Sequence, residues 1–274
     1  RVLAFGKGDA YGNGLLGKVT EELAPTLMSD DDFVGSSYPD PGSTPDIDYA
    51  AELTPALDAL NARPDFVLLL GTNEIINLLS LIEGEAVTRG WSQPPQYILS
   101  DGGQVDETVA YVNANPSVAE RIEGVVANGK NGELWNSYNR RFKLQFDALG
   151  DAGIYTANSY DAAYIIAYAM MSTIGAGNEL TGSNIAASMA NLVTGDNVET
   201  GPTPIGTART TLLEGGTIDY DGASGPLQFD LTTGDVSSDV ILWTLADGNQ
   251  SFEFADSLFY TIGNDGRGTW GPLP

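Results

Sequence analysis

The 274-residue sequence contains no cysteine and no histidine. Without cysteine there is no disulfide frame, no thiolate nucleophile and no zinc–thiolate centre. Without histidine, the commonest general base, the Ser-His-Asp arrangement and imidazole metal ligands are excluded together. Carboxylate-dependent hydrolysis of the glycosidase kind is the catalytic chemistry that composition leaves open. Basic residues are scarce too: 12 Lys and Arg stand against 37 Asp and Glu, a formal charge of −25. A nucleic-acid binder needs a cationic face to displace counterions from phosphate, so nucleic acid is excluded as a partner. The same field repels an anionic membrane surface. No apolar run approaches the ~20 residues of a membrane span. Because the acids are scattered rather than clustered, their excess reads either as solubility in a salty or extracellular medium or as attraction for a cationic ligand.

What is present supports a packed α/β protein. Hydrophobic residues make up 42% of the chain, enough for one large domain or two modest ones. The first half alternates strands and helices. A short apolar strand over 2–6 precedes a helix over 12–27, whose Leu15, Leu16, Val19, Leu23 and Leu27 fall at helical spacing. A strand at 33–36, a proline-rich loop over 38–48 and a helix over 49–61 follow. The run Phe66-Val-Leu-Leu-Leu is apolar throughout, as expected for a parallel strand covered on both faces. Further strands at 96–100 and 124–127 alternate with helices at 74–89, 105–113 and 134–149. This order predicts a right-handed, doubly wound parallel sheet, with ligands at the carboxyl ends of its strands.

The second half differs. Residues 160–174 (YDAAYIIAYAMMSTI) are apolar on almost every helical face, which predicts a helix buried on more than one side. A second helix over 183–193 is capped by Ser183 or Thr181. After residue 213, GG and DYDGASG read as turns. The strand 226–229, the turn TTGD and the strand 240–245 then complete a hairpin-like β segment.

Several segments together resemble the type I periplasmic binding proteins, the class of branched-chain amino-acid-binding proteins of ABC importers. RVLAFGKGDAYGNGL, beginning at Arg1, resembles the first strand and helix of that family's second lobe. DFVLLLGTNEI (from Asp65) and YILSDGG (from Tyr97) resemble the next two strand-to-helix turns. NSYDAAYIIAYAM (from Asn158) resembles the helix returning to the first lobe. IDYDGASGPLQFDLTTGDV (from Ile218) resembles the late hairpin near the third crossover. The resemblance implies a fold with most of the N-terminal lobe absent from the sequence. It divides the chain into a second-lobe α/β domain (1–153), helices of the first lobe (154–218) and a crossover with strands returning to the second lobe (219–274). It also implies capture of a small polar, amino-acid-like solute outside the cytoplasm, delivery to an ABC permease, and no catalysis or cofactor. The location it implies is periplasmic or extracellular, compatible with a lipid anchor. The same fold also serves as the ligand-binding domain of sensory receptors.

Ligand contacts are then expected in the strand-end loops. Tyr11 offers a flat face with a polar tip and matches the family's loop tyrosine; its structural alternative is packing on its own helix. Asp101 stands at a strand end, where a buried carboxylate would pair with a ligand ammonium; its alternative is turn or cap chemistry in Asp-Gly-Gly. Thr72 and Asn73 either face the ligand or cap the following helix. Tyr155 matches an aromatic position on the family's cleft wall, whereas Tyr160 and Asp161 are read as fixing the crossover. Asp219, Asp221 and Asp230 lack the spacing of a calcium loop and are read as turn residues. The glycines of GKGDAYGNG do not fit the dinucleotide fingerprint, so no metal or cofactor is expected.

Overall fold

The structure is a computed structural model that describes residues 1–274 except 61, 128–131, 232–233, 235, 237–239, 246–251, 263–267 and 272–274. In chain order it begins with β1 (Val2–Lys7), α1 (Ala10–Leu23), β2 (Phe33–Tyr38), α2 (Tyr49–Ala59) and β3 (Phe66–Leu70). α3 (Ile75–Thr88), β4 (Gln96–Leu99), α4 (Asp106–Ala114), α5 (Pro116–Ala119) and β5 (Ile122–Ala127) follow. Next come α6 (Gly132–Gln145), α7 (Ile154–Gly175), α8 (Gly182–Ser188), β6 (Asp196–Glu199), α9 (Ile205–Leu213), β7 (Ile218–Gly222) and β8 (Gly225–Pro226). β9 (Val240–Leu245), β10 (Phe252–Ile262) and β11 (Gly268–Gly271) end the chain. The elements gather into two compact units, one built from Arg1–Val126 and Ile241–Phe259, the other from Ala127–Val240 and Tyr260–Gly271.

The first unit is the doubly wound sheet that the alternation predicts. β1 pairs in parallel with both β2 and β3, β3 with β4, and β4 with β5, giving the order β2-β1-β3-β4-β5 before β9 and β10. Leu3, Ala4 and Phe5 of β1 and Val67 and Leu69 of β3 are fully buried, as central strands covered on both faces must be. Asp9 caps α1 by accepting from the Gly12 amide (2.8 Å), and Asp48 caps α2 from Ala51 (3.1 Å). α1 ends at Leu23, earlier than its apolar spacing implies, because Pro25 turns the chain into a single 3₁₀ turn at Ala24–Thr26. Gly124 of β5 has no room for a side chain: a β-carbon there would lie 2.1 Å from the ring of Trp243 on β9.

In the second unit, β6 runs parallel to β7 and β7 antiparallel to β8. α7 packs Tyr168 and Ala169 against Leu192, Val198, Ala208, Leu212, Ile218 and Tyr220. α6 joins the same helix through Trp135, Tyr138 and Phe142, which meet Ala157 and Tyr160. α6, placed by the sequence with residues 1–153, therefore packs within the second unit. Two further expectations need correction. Residues 219–222 of the segment DYDGASG, read as a turn, form β7 together with Ile218: Ile218, Tyr220 and Gly222 point inward while Asp219 and Asp221 alternate outward. Aspartates and glycine disguised a period-two strand. α7 is covered on one face only, with Ile166, Met170 and Ile174 exposed on the other. Thr181, not Ser183, caps α8, accepting from Asn184 (3.2 Å).

Asp161, 1% exposed on α7, binds the β7–β8 turn. It accepts from the Tyr220 hydroxyl (3.1 Å), the amides of Ala223 (2.9 Å) and Ser224 (2.7 Å), and the Ser224 hydroxyl (2.6 Å). A buried carboxylate needs this many donors to offset its lost hydration. Asp161→Ala would orphan two amides and the Ser224 hydroxyl, leaving the Tyr220 hydroxyl to Thr200 Oγ1 (3.0 Å), an expected cost of about 3–4 kcal/mol. In thermal unfolding this reads as a Tm lower by roughly 8 °C or more.

Candidate functional site

A sheet ordered 2-1-3-4-5 reverses its winding between β1 and β3, and the crevice outside the carboxyl ends of those strands is where such folds bind ligands. The register pairs Gly6 with Leu70 and Leu69 with Leu99, so β1, β3 and β4 end at nearly one level. The β3 and β4 loops carry Thr72 and Asp101, and Tyr11 stands on the first turn of α1, just past the end of β1.

The β3 and β4 loops touch through backbone. A β-carbon on Gly102 would sit 2.2 Å from the Gly71 carbonyl oxygen and 3.2 Å from the Thr72 Cα, so only glycine fits. The Ser100 hydroxyl donates to that same Gly71 oxygen (3.0 Å), and Thr108 anchors the far side by donating to the Gly103 carbonyl (2.7 Å). Asp101 opens the 3₁₀ turn Asp101–Gly103. The Tyr11 hydroxyl donates to Asp101 Oδ1 and accepts from the Gly102 amide (3.4 Å). Burial first, and then the hydrogen bond to Asp101, push the Tyr11 phenol up to about 12. Tyr11 thus reaches the β4 loop rather than packing on its own helix, and the Asp101 side chain serves the first turn of α1.

Thr72 does not cap α3, whose N-terminus carries no side-chain cap bond. Its hydroxyl donates to Glu74 Oε2 and its amide to Glu74 Oε1 (3.0 Å), and the Tyr38 hydroxyl reaches Oε1 as well (2.7 Å). Glu74 is 8% exposed. Burial raises its pKa, but the hydrogen bonds from Thr72 and Tyr38 outweigh it and hold the carboxyl below its ordinary 4.5. Burial and Glu74 together push the Tyr38 phenol far up. Beside this network Lys7 bridges Asp9 (3.0 Å) and Asp40 (3.3 Å). Its pKa is raised, chiefly by the bond to Asp9.

Three of the five residues singled out in the sequence, Tyr11, Thr72 and Asp101, are therefore brought together, with Asn73 beside Thr72 and exposed. Tyr155 lies in the second unit, on the first turn of α7 and 46% exposed. Glu74 and Tyr38 escaped the sequence reading. The only signal available was position, Tyr38 closing a strand at the switch point and Glu74 three residues past Gly71. Among the described residues no cluster of three carboxylates could hold a metal ion, and no helix is long and apolar enough to cross a membrane.

The sheet, its order and the helices are those of the type I periplasmic-binding-protein fold, as the sequence resemblance implied. Among solved structures, the leucine-binding protein LivK of Thermotoga maritima shares 18% identity at a TM-score of 0.57, matching 93% of this chain and 59% of its own. The branched-chain amino acid substrate-binding protein LivJ of Streptococcus pneumoniae, in complex with isoleucine, shares 14% identity at a TM-score of 0.50, over 93% and 59%. The chain thus spans about 59% of the length of these proteins. No family model and no curated protein matches it.

Glu74 makes the first unit acid-sensitive in a defined window. Its folded pKa lies below the unfolded value, so its contribution is complete above about pH 4.5 and is lost as pH falls through the folded value. Glu74→Gln removes that titration. The expected outcome is a shallower fall of Tm below pH 4.5 in the variant, read from melts across an acid series; parallel curves would refute it.

Proposed function

We propose that the strand-end surface of the first unit is one wall of a solute site, and that the parent protein captures a small polar, amino-acid-like ligand outside the cytoplasm for an ABC permease. The observation that carries this reading is the Tyr11–Asp101 pair at the switch point, locked to the Thr72 loop by the Gly71–Gly102 contact. Two loops held backbone to backbone present their polar tips without reorganising, which lowers the entropic cost of binding. Tyr11 supplies an aromatic face and Asp101 an anionic oxygen, a combination suited to a ligand with an ammonium beside an apolar part. The fold it shares with LivK and with isoleucine-bound LivJ supports the same assignment. Thr72 and Asn73 complete the wall. Closure of two lobes on a solute is how such sites exclude water, and the absence of histidine and cysteine suits capture rather than turnover.

Thermal-shift screening of the protein, as encoded in full, against amino acids and their deaminated analogues tests the assignment. A ligand that binds only the folded state raises Tm with its concentration. Asp101→Asn should then weaken an ammonium-bearing hit by about 10- to 100-fold, the worth of one hydrogen bond to a charged group. A neutral analogue should lose far less. No shift with any amino acid, or equal weakening of both ligand types, overturns the proposal.

A further inference from the structure

The protons of this wall are already committed. The Tyr11 hydroxyl donates to Asp101, the Thr72 hydroxyl to Glu74 and the Ser100 hydroxyl to the Gly71 carbonyl. The amides of Thr72 and Gly102 donate to Glu74 and to the Tyr11 oxygen. A hydroxyl has one proton and two lone pairs; once its proton is engaged, it can only accept from a ligand. Glu74 fixes this at Thr72. It is buried, ionised, and takes both protons that Thr72 owns, while the Tyr38 hydroxyl satisfies a third acceptor position.

We infer that Glu74 is a positioning residue that sets the hydrogen-bonding polarity of the wall, turning the Thr72 hydroxyl into an obligate acceptor, so that the surface selects the donor-rich, ammonium end of its solute. This rests on the solute-site reading above and deepens it, since Glu74 itself lies behind the surface. The corollary concerns Glu74→Gln. A carboxamide keeps the shape and still accepts at Oε1 from Tyr38 and the Thr72 amide, but its Nε2 would donate to the Thr72 oxygen. The threonine proton must then turn outward, and one acceptor on the wall becomes a donor.

Two fragment probes read this directly on the chain: ethylammonium chloride and sodium acetate, titrated while the amide resonances of Thr72 and Gly102 are followed by NMR. In the native sequence ethylammonium should move both amides saturably and acetate neither. In Glu74→Gln the ethylammonium response should weaken about threefold to tenfold, the range of a single hydrogen bond, and acetate should begin to move Thr72. The double variant Glu74→Gln, Thr72→Val has no threonine proton to release and should lose the acetate response again. Thr72→Val alone, which keeps Glu74, should weaken ethylammonium without admitting acetate, and serves if the glutamine variant fails to fold. Acetate moving Thr72 in the native sequence, an unchanged preference in Glu74→Gln, or silence towards both probes overturns the inference. Amino-acid binding by the full protein that is unaltered in Glu74→Gln sinks this role alone. An intact ethylammonium response without any amino-acid ligand sinks the solute assignment alone.

Discussion

The carbonyl oxygen of Gly71 occupies the space that any β-carbon on residue 102 would need, and the first unit's surface is organised around that contact. Three parallel strands ending at one level would ordinarily present three independent loops. Here the β3 and β4 loops meet backbone to backbone, and the Ser100 hydroxyl closes on the same oxygen. With those two fixed, Asp101 stands where the Tyr11 hydroxyl can reach it from the first turn of α1. Gly102 is needed for space and not for conformation, since no left-handed φ is found there. A side chain at 102 would separate the loops, and the tyrosine–aspartate pair would separate with them.

Both units use a buried carboxylate as a fastener, and for the same reason. Glu74 gathers its neighbour Thr72 and Tyr38, the latter 36 residues away from it; Asp161 gathers Tyr220, Ala223 and Ser224, some 60 residues away. A carboxylate accepts several hydrogen bonds at once, so one side chain can hold a turn, a strand end and a helix together. The cost of removing it from water is offset only when those positions are filled. In a chain of charge −25 these are the acids that must be distinguished from the solvated majority, and charge counting alone cannot do it.

That limit defines what the sequence could show. The parallel sheet was legible because strands buried on both faces must be apolar throughout, and Phe66–Leu70 is. The convergence of Tyr11, Thr72 and Asp101 was legible because a doubly wound sheet gathers the segments that follow its strands at one edge. The partners that fix them were not: Glu74 and Tyr38 meet only after folding, and nothing local in either sequence neighbourhood records it. β7 was missed because Asp and Gly are turn residues by propensity, while its alternation with Ile218 and Tyr220 is a property of the sheet it joins. For α7 the composition recorded that both faces are apolar without recording which is covered. Tyr168, Ala169 and Thr173 are buried, whereas Ile166, Met170 and Ile174 are not.

The surviving catalytic alternative, a carboxylate pair, can be weighed at the same site. Hydrolysis of that kind needs one carboxyl held protonated at working pH so that it can deliver a proton to a leaving group. Environments that do this are apolar and poor in donors. Glu74 is buried, but it is met by two hydroxyls and an amide, and its pKa moves down rather than up. The network that makes it a good fastener makes it a poor acid. Asp101 in turn accepts a hydrogen bond from the Tyr11 hydroxyl. Oxygens that accept and do not donate support the proposed capture of a cationic group more than proton delivery to it.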